Sequence, residues 1–149
     1  MTRKTVFLGP NAPIGHGSVV PILEHAAKYM VNVLKKAQSQ NIKSLAPSSA
    51  AVAEFNQHIP IFMTRTAWAT GCRSWFKNGT IDGPIVALHP GSRIHWFHML
   101  DEPRYEDYDI EYLSQNRFRY LGNGFSTREA PECDVAWYFD DPAAGYKPY

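Results

Sequence analysis

The chain has 149 residues, of which 44% are apolar and 19% are charged, and its formal net charge is +1. A chain of this length buries roughly 70% of its unfolded surface, so a core forms without a metal or disulfide framework. The nearly balanced charge argues against a nucleic-acid partner. We expect an ordinary soluble protein that forms a single domain over residues 1–149, with residues 127–149 as a partly ordered tail.

The cysteines and the N-terminus bear on the cellular compartment. Cys72 and Cys133 are too few and too far apart in sequence for a disulfide framework or a four-ligand zinc site. The N-terminal run MTRKTVFLGP has no long apolar segment of the kind that a secretory signal contains. These features predict a reduced, cytoplasmic protein with no membrane partner.

The first half of the chain has the pattern of a strand followed by two helices. A short strand is predicted at Thr5–Leu8, followed by a Gly/Pro loop. A long helix then begins near Ser18, a plausible N-cap, with Pro21 in the first turn where its missing N–H costs little. A second helix is predicted from Ser49 to about Ile59, where Pro60 should end it.

Beyond Pro60, aromatic and β-branched residues cluster between turn signals, which is typical of strands. The fold class is therefore predicted to be α+β, with two N-terminal helices packed on a mostly antiparallel, aromatic-rich sheet. The predicted strands are Cys72–Phe76, Ile85–Leu88, Arg93–Met99, Tyr108–Leu113 and Phe118–Leu121.

The histidines are the first candidates for chemistry. His95 and His98 are three residues apart, a spacing that places them on opposite faces of a strand, so they should not bind one metal together. A third ligand, Glu102 or His89, is not positioned by any pattern in the sequence. No metal is expected.

The remaining candidates suit a pocket with aromatic walls and a few donors. Arg73 and Arg93 adjoin aromatic or apolar residues of the predicted strands, and arginine is well suited to stacking and forked hydrogen bonds in a partly desolvated site. A nucleophilic hydrolase is poorly supported, because the chain has no G-x-S-x-G motif. The acidic residues between Glu102 and Asp109 are best explained as a solvated run.

Three segments together resemble a known family. They are GPNAPIGHGS (Gly9–Ser18), GCRSWFKNG (Gly71–Gly79) and HPGSRIHWFHML (His89–Leu100). From about Thr5 to about Ser126 the chain is similar to the last portion of fungal flavin-containing Baeyer–Villiger monooxygenases. The resemblance implies that His16 lies where the family brings its flavin ring, and that Trp75 belongs to a motif near the nicotinamide ribose.

Members of that family carry two nucleotide-binding segments before this portion, and neither is found here. A dinucleotide fingerprint needs G-x-G-x-x-G between a strand and a helix. The triplets at Gly15 and Gly122 are followed, at the third glycine position, by Val20 and Thr127. We therefore expect no FAD, no NADPH and no other cofactor.

Taken together, these features predict a cofactor-independent enzyme of fungal secondary metabolism. It would bind a hydrophobic terpenoid or polyketide intermediate and catalyse a cyclisation, an isomerisation or a pericyclic step of the Diels–Alder type, as a homodimer. The catalytic candidates are Arg93, His95, His98 and Arg73. The substrate-binding candidates are His16, Ser18, Trp75, Trp96, Phe97 and Tyr120.

Other functions stay open at this point. The chain is also compatible with a fragment of an FAD- and NADPH-dependent Baeyer–Villiger monooxygenase, with a non-catalytic partner subunit of such an enzyme, or with a degraded remnant. A partner subunit should expose an apolar patch.

Overall fold

The computed structural model describes residues 7–15 and 17–136. It confirms the α+β fold class, with three helices and one two-stranded sheet in this part of the chain. The elements in chain order are α1 (Val20–Ser39), β1 (Ile42–Pro47), α2 (Ser49–Met63), α3 (Arg93–Asp101) and β2 (Tyr108–Tyr112).

Helix α1 forms where the apolar periodicity places it. Its N-cap is Val19, one residue later than expected, while the Ser18 hydroxyl oxygen accepts a 3.3 Å hydrogen bond from the Val20 N–H. Pro21 lies in the first turn, and Ile22 and Ala26 are buried. The apolar stripe therefore packs inward as predicted.

Helix α2 begins as predicted but continues through Pro60 to Met63. The Ser48 hydroxyl oxygen caps its start by accepting a 3.1 Å hydrogen bond from the Ala51 N–H. Pro60 removes only its own N–H, whereas its carbonyl still accepts a 3.2 Å bond from Thr64. Ile59 and Met63 are buried, and this burial holds the last turn in place.

Strands β1 and β2 pair in antiparallel fashion, with Leu45 opposite Ile110 and Pro47 opposite Tyr108. The strand predicted at Tyr108–Leu113 is therefore confirmed, and it ends at Tyr112. The sequence pattern did not indicate β1, which is only six residues long and is interrupted by a bulge between Ile42 and Ser44.

The strand predicted at Arg93–Met99 was wrong, because this segment is helix α3. The Ser92 hydroxyl oxygen accepts a 3.1 Å hydrogen bond from the His95 N–H, which starts a helix despite the aromatic side chains that follow. His95 and His98 consequently share one helix face instead of pointing to opposite sides.

Three other predicted strands need correction. Cys72–Phe76 is not a strand, and a 3₁₀ turn at Trp75–Lys77 overlaps its end. Phe118–Leu121 lies within a 3₁₀ helix, because the Asn116 side chain caps the Phe118 N–H at 3.0 Å. Ile85–Leu88 forms a single parallel bridge, from Leu88 to Ala12.

Predicted features near the two ends fall mostly outside the described residues. Of the strand predicted at Thr5–Leu8, only Phe7 and Leu8 are among the described residues, and they lie in a turn. Of the tail predicted at residues 127–149, residues 137–149 also lie outside the described residues.

The apolar core lies between the end of α2 and the segment that precedes α3. Ile59, Met63, Ile85 and Leu88 form its buried centre, and five half-buried residues pack around it: Ile14, Phe55, Phe62, Trp68 and Phe76. The 9–15 loop is tied to this core by a 2.9 Å hydrogen bond from the Asn11 N–H to the Ala87 carbonyl. Within the described residues, no helix has the length and apolar character needed to cross a membrane.

Candidate functional site

A cavity of about 350 Å³ opens between the 9–15 loop, the end of α2 and the turn before α3. Its walls are mainly apolar and include Met63, Trp68 and Leu88, while His89 and Ser92 contribute polar atoms. We call it the histidine cavity. Its volume is in the range of small-molecule sites, and apolar walls with few polar groups are typical of them.

Two histidines meet at the edge of this cavity. His89 Nε2 lies 3.2 Å from His95 Nδ1, within hydrogen-bond distance, and the ring centroids are 5.4 Å apart. Ser92 caps α3 and so places His95, while the Gly91 N–H bonds to the His89 carbonyl at 2.9 Å. A Cβ at Gly91 would lie only 2.6 Å from His95 Nδ1, so glycine is needed for this approach.

The two histidines differ in burial, which determines their electrostatics. His89 is only 5% exposed, whereas His95 is exposed. Burial, with a smaller contribution from the neighbouring His95, lowers the pKa of His89 to about 4. His89 is therefore a neutral imidazole at pH 7, with one ring nitrogen that donates and one that accepts.

The pair can relay a proton between the cavity and the protein surface. One of the two facing nitrogens donates to the other, so the arrangement has two tautomers that differ by a shift of protons along both rings. Because His95 is exposed, its outer nitrogen can exchange a proton with water. The hydrogen bond therefore allows a proton to pass between the two rings.

Arg93, a predicted catalytic residue, joins α3 to the loop before α1. Its Nη1 donates a 3.0 Å hydrogen bond to the Ser18 carbonyl, and its guanidinium carbon lies 5.9 Å from the centre of the Phe97 ring. Phe97 is itself a predicted substrate-binding residue, and the His25 ring stacks on it with 3.8 Å between the ring centroids. The structure thus brings Ser18, Arg93 and Phe97 together.

The other predicted site residues lie elsewhere. Arg73 donates from Nε to the Gly79 carbonyl at 2.8 Å within its own loop, and Trp75 is 62% exposed. Tyr120 is half-buried in the 3₁₀ helix Arg117–Leu121. None of these three lines the histidine cavity, and Trp96 lines a different one.

His98 and His16 complete the predicted set. His98 is exposed near the end of α3, and His16 lies outside the described residues. Although α3 brings His95 and His98 to one face, the described ranges contain no cluster of three or more potential metal ligands.

Sequence reasoning missed the contact between His89 and His95. The available signal was the segment His89-Pro90-Gly91-Ser92, in which a tight turn and a helix cap stand between two histidines six residues apart. If this segment is interpreted as a turn followed by a helix, His89 is expected to lie close to the first turn of α3. If the following residues are interpreted as a strand, no such contact is expected.

Comparison with known proteins identifies relatives that match most of the chain. The chain is 41% identical over 138 residues to a probable FAD-binding monooxygenase of Aspergillus luteorubrus, which covers 92% of this chain and 28% of that protein. An FAD-binding monooxygenase of Emericella nidulans is 37% identical over 126 residues, or 85% of this chain and 21% of that protein. An uncharacterized monooxygenase of Mycobacterium tuberculosis is 30% identical over 105 residues, or 70% of this chain and 21% of that protein.

No family model and no solved structure matches the chain. The chain is a short relative of fungal FAD-binding monooxygenases and spans about a quarter of their length. The resemblance found in the sequence is therefore confirmed.

The described residues do not fit FAD by themselves. A flavin dinucleotide needs a glycine-rich turn between a strand and a helix to hold its pyrophosphate. Gly122 and Gly124 instead follow the 3₁₀ helix Arg117–Leu121 and precede a three-residue turn at Thr127–Glu129. Helix α1 follows a loop and begins with Pro21 close to its cap.

Proposed function

We propose that this chain binds a hydrophobic, carbonyl-bearing metabolite in the histidine cavity and catalyses a non-redox isomerisation or cyclisation in the cytoplasm. The observation that carries the proposal is the buried, neutral His89, hydrogen-bonded to the exposed His95 at an apolar cavity. At pH 7 the His89 imidazole is unprotonated and can accept a proton, and the apolar walls favour a ligand with little charge.

The chemistry begins with proton transfer at the carbon next to the substrate carbonyl. A ring nitrogen of the pair takes the proton, the C–H bond breaks, and its electron pair forms a carbon–carbon double bond while the carbonyl oxygen becomes an enolate. The Ser92 hydroxyl lines the same cavity and keeps its own proton to donate to that oxygen. The imidazolium then returns its proton to another carbon, which gives an isomer. Alternatively, the enolate carbon attacks a second carbonyl to close a ring, and the imidazolium protonates the alkoxide that this attack forms.

A pericyclic step would use the same cavity differently. It needs a fixed substrate conformation and one hydrogen bond to a carbonyl, and orientation supplies up to roughly 7 to 11 kcal/mol in favourable cases. The polar atoms of His89 and Ser92 on one wall support this form of the proposal.

Hydrogen–deuterium exchange tests the proton transfer without knowledge of the natural substrate. The probe is 2-acetylnaphthalene, incubated with the protein in D₂O without flavin, and the loss of its methyl proton signal is followed by NMR. We expect the native rate to exceed that of His89→Phe by about 10²-fold, in the range of general acid–base catalysis. The matched control is His58→Phe, a change at an exposed histidine on α2. Equal rates in the native protein and His89→Phe would overturn the proposal.

A second candidate function rests on the 41% identity over 92% of the chain. In this alternative, the segment works within an FAD-binding monooxygenase, or as a partner subunit of one, and contributes a substrate wall. Exposed apolar side chains that are close in sequence support it, because a partner surface would cover them. They are Leu113, Phe118, Leu121 and Phe125, each at least 58% exposed.

A chimaera tests this alternative. The chain replaces the matched segment of the Aspergillus luteorubrus protein, and FAD content and substrate-dependent oxygen consumption are measured. If the segment works within a monooxygenase, both should return relative to a version that lacks the segment. Failure of both, with His89-dependent exchange in the free chain, favours the non-redox function.

The predicted homodimer is a separate proposal. The same apolar side chains need a cover, and a two-fold dimer is the simplest symmetric solution. Sedimentation at tens of micromolar should show a dimer in the native chain and a shift to monomer in Phe118→Asp. A monomer in the native chain would contradict it.

A further inference from the structure

A second cavity, of about 570 Å³, lies between α2, α3 and the start of β2. Its lining shares no residue with that of the histidine cavity. Tyr29 from α1 and Tyr108 from β2 meet at its wall, where their hydroxyl groups form a short hydrogen bond. We call it the tyrosine cavity.

One acceptor in this wall has no partner. Asn11 lines the cavity, and its side-chain oxygen Oδ1 is buried without a hydrogen bond. The backbone of Asn11 is held by the bond to Ala87 in a left-handed conformation, with φ of 65°, so the side chain is presented from a fixed position. A buried acceptor without a donor is costly, and rotation of the Asn11 amide toward the cavity would let a ligand O–H or N–H satisfy it.

The tyrosine pair has a complementary property. Two hydroxyl groups share one hydrogen bond, so the second hydroxyl proton remains available to an acceptor on a ligand. Burial raises the pKa of Tyr29, and its bond to Tyr108 and the nearby Asp107 act in the same direction. Both a donor and an acceptor are therefore offered to the cavity at neutral pH.

The remaining walls favour a neutral aromatic molecule. Phe55, Trp96 and Met99 supply apolar surface, and an aromatic ring adds favourable stacking geometry. The charged groups at the edge neutralise each other, since Arg104 Nε bonds to Asp107 Oδ2 at 2.9 Å. Because Arg104 and Asp107 are paired with each other, neither is free to bind a ligand of opposite charge.

We propose that the tyrosine cavity is a binding site for a neutral phenol, whose hydroxyl accepts from the Tyr29–Tyr108 pair and donates to Asn11 Oδ1 after the Asn11 amide turns toward the cavity. This site is distinct from the histidine cavity and does not depend on the function proposed for it. The ring of the phenol lies among Phe55, Trp96 and Met99.

Paired probes test the hydrogen bond to Asn11. Calorimetry compares 2-naphthol with 2-methoxynaphthalene, which has the same rings but no hydroxyl proton. We expect 2-naphthol to bind about tenfold more tightly to the native protein, and this ratio to fall below about threefold in Asn11→Gly. Glycine is chosen because it accepts a positive φ. Asn41→Gly is the matched control, since Asn41 has a φ of 53° and does not line the cavity.

A blocking variant gives a second test that does not depend on Asn11. Ala51 lines the tyrosine cavity, so Ala51→Trp should fill it and weaken 2-naphthol at least tenfold, whereas Ala53→Trp on the exposed side of α2 should not. Binding of 2-naphthol should also survive in His89→Phe. Circular dichroism confirms that each variant is folded. The proposal is overturned if 2-naphthol does not bind at millimolar concentration, if the probe ratio is unchanged in Asn11→Gly, or if Ala51→Trp binds normally.

Discussion

The two cavities are built from the chain in different ways. The polar atoms of the histidine cavity come from one short segment, in which His89 and His95 are six residues apart and are joined by a turn and a helix cap. The tyrosine cavity depends on Tyr29 and Tyr108, which are 79 residues apart, and on Asn11 in a third segment. Local structure thus positions the first set, and packing of α1 against the β1–β2 sheet positions the second.

They also differ in how firmly their apolar walls are packed. Met63, at 3% exposure, joins the histidine cavity to the buried core, whereas Met99 in the tyrosine cavity is 41% exposed. Changes near the histidine cavity should therefore affect stability, while changes near the tyrosine cavity should affect mainly ligand binding.

The largest expected effect separates the two methionines. Met63→Ala removes buried side-chain volume and should lower the free energy of unfolding by about 2 to 5 kcal/mol. Met99→Ala removes a partly solvated side chain and should cost less than about 1 kcal/mol. Urea denaturation measures both, and similar losses would mean that the cavities do not differ in packing.

Acid should affect the histidine cavity through His89. Its folded-state pKa of about 4 is below the unfolded value of 6.5, so below pH 6.5 the unfolded state binds a proton that the folded state does not. Stability present above pH 6.5 is lost as the pH falls to about 4, by up to about 3 kcal/mol. His89→Phe should remove this part of the acid sensitivity, and His58→Phe should retain it. Parallel pH profiles for the native protein and His89→Phe would contradict the assignment.

A methyl group at Gly91 tests the close approach of the two histidines. Its Cβ would lie 2.6 Å from His95 Nδ1 and 2.8 Å from His89 Nε2, so the rings must separate. Gly91→Ala should cost about 2 kcal/mol of stability through overpacking, and deuterium exchange into 2-acetylnaphthalene should slow. The matched control is Gly9→Ala, because no atom lies within 4 Å of a Cβ built there. Equal behaviour of the two variants would show that the pair tolerates the methyl group.

The smallest expected effect concerns the tyrosine pair. Tyr108→Phe removes one hydroxyl and should lower the free energy of unfolding by about 1 kcal/mol. Tyr112→Phe, on the same strand, is the control and should change stability less. A loss above about 3 kcal/mol for Tyr108→Phe would indicate that this pair supports the fold as strongly as the core does.

Sequence reasoning succeeded where a local pattern decides local structure. The apolar stripe after Ser18 produces α1, and the alternating residues after Asp107 produce β2. It failed at Arg93–Met99, where the residue types favour a strand but the Ser92 cap and the turn before it start a helix. That one error concealed the histidine pair, since His95 reaches His89 only from the first turn of α3.

The sequence by itself determined α1, the start of α2, β2, the α+β class and the relation to fungal FAD-binding monooxygenases, because these depend on periodicity, caps and matched residues. Only the tertiary structure decided which polar groups lose water. His89 is neutral because the folded chain buries it, and Tyr29 meets Tyr108 because α1 lies beside the sheet. Burial of this kind is a property of contacts between distant segments, which residue spacing does not encode.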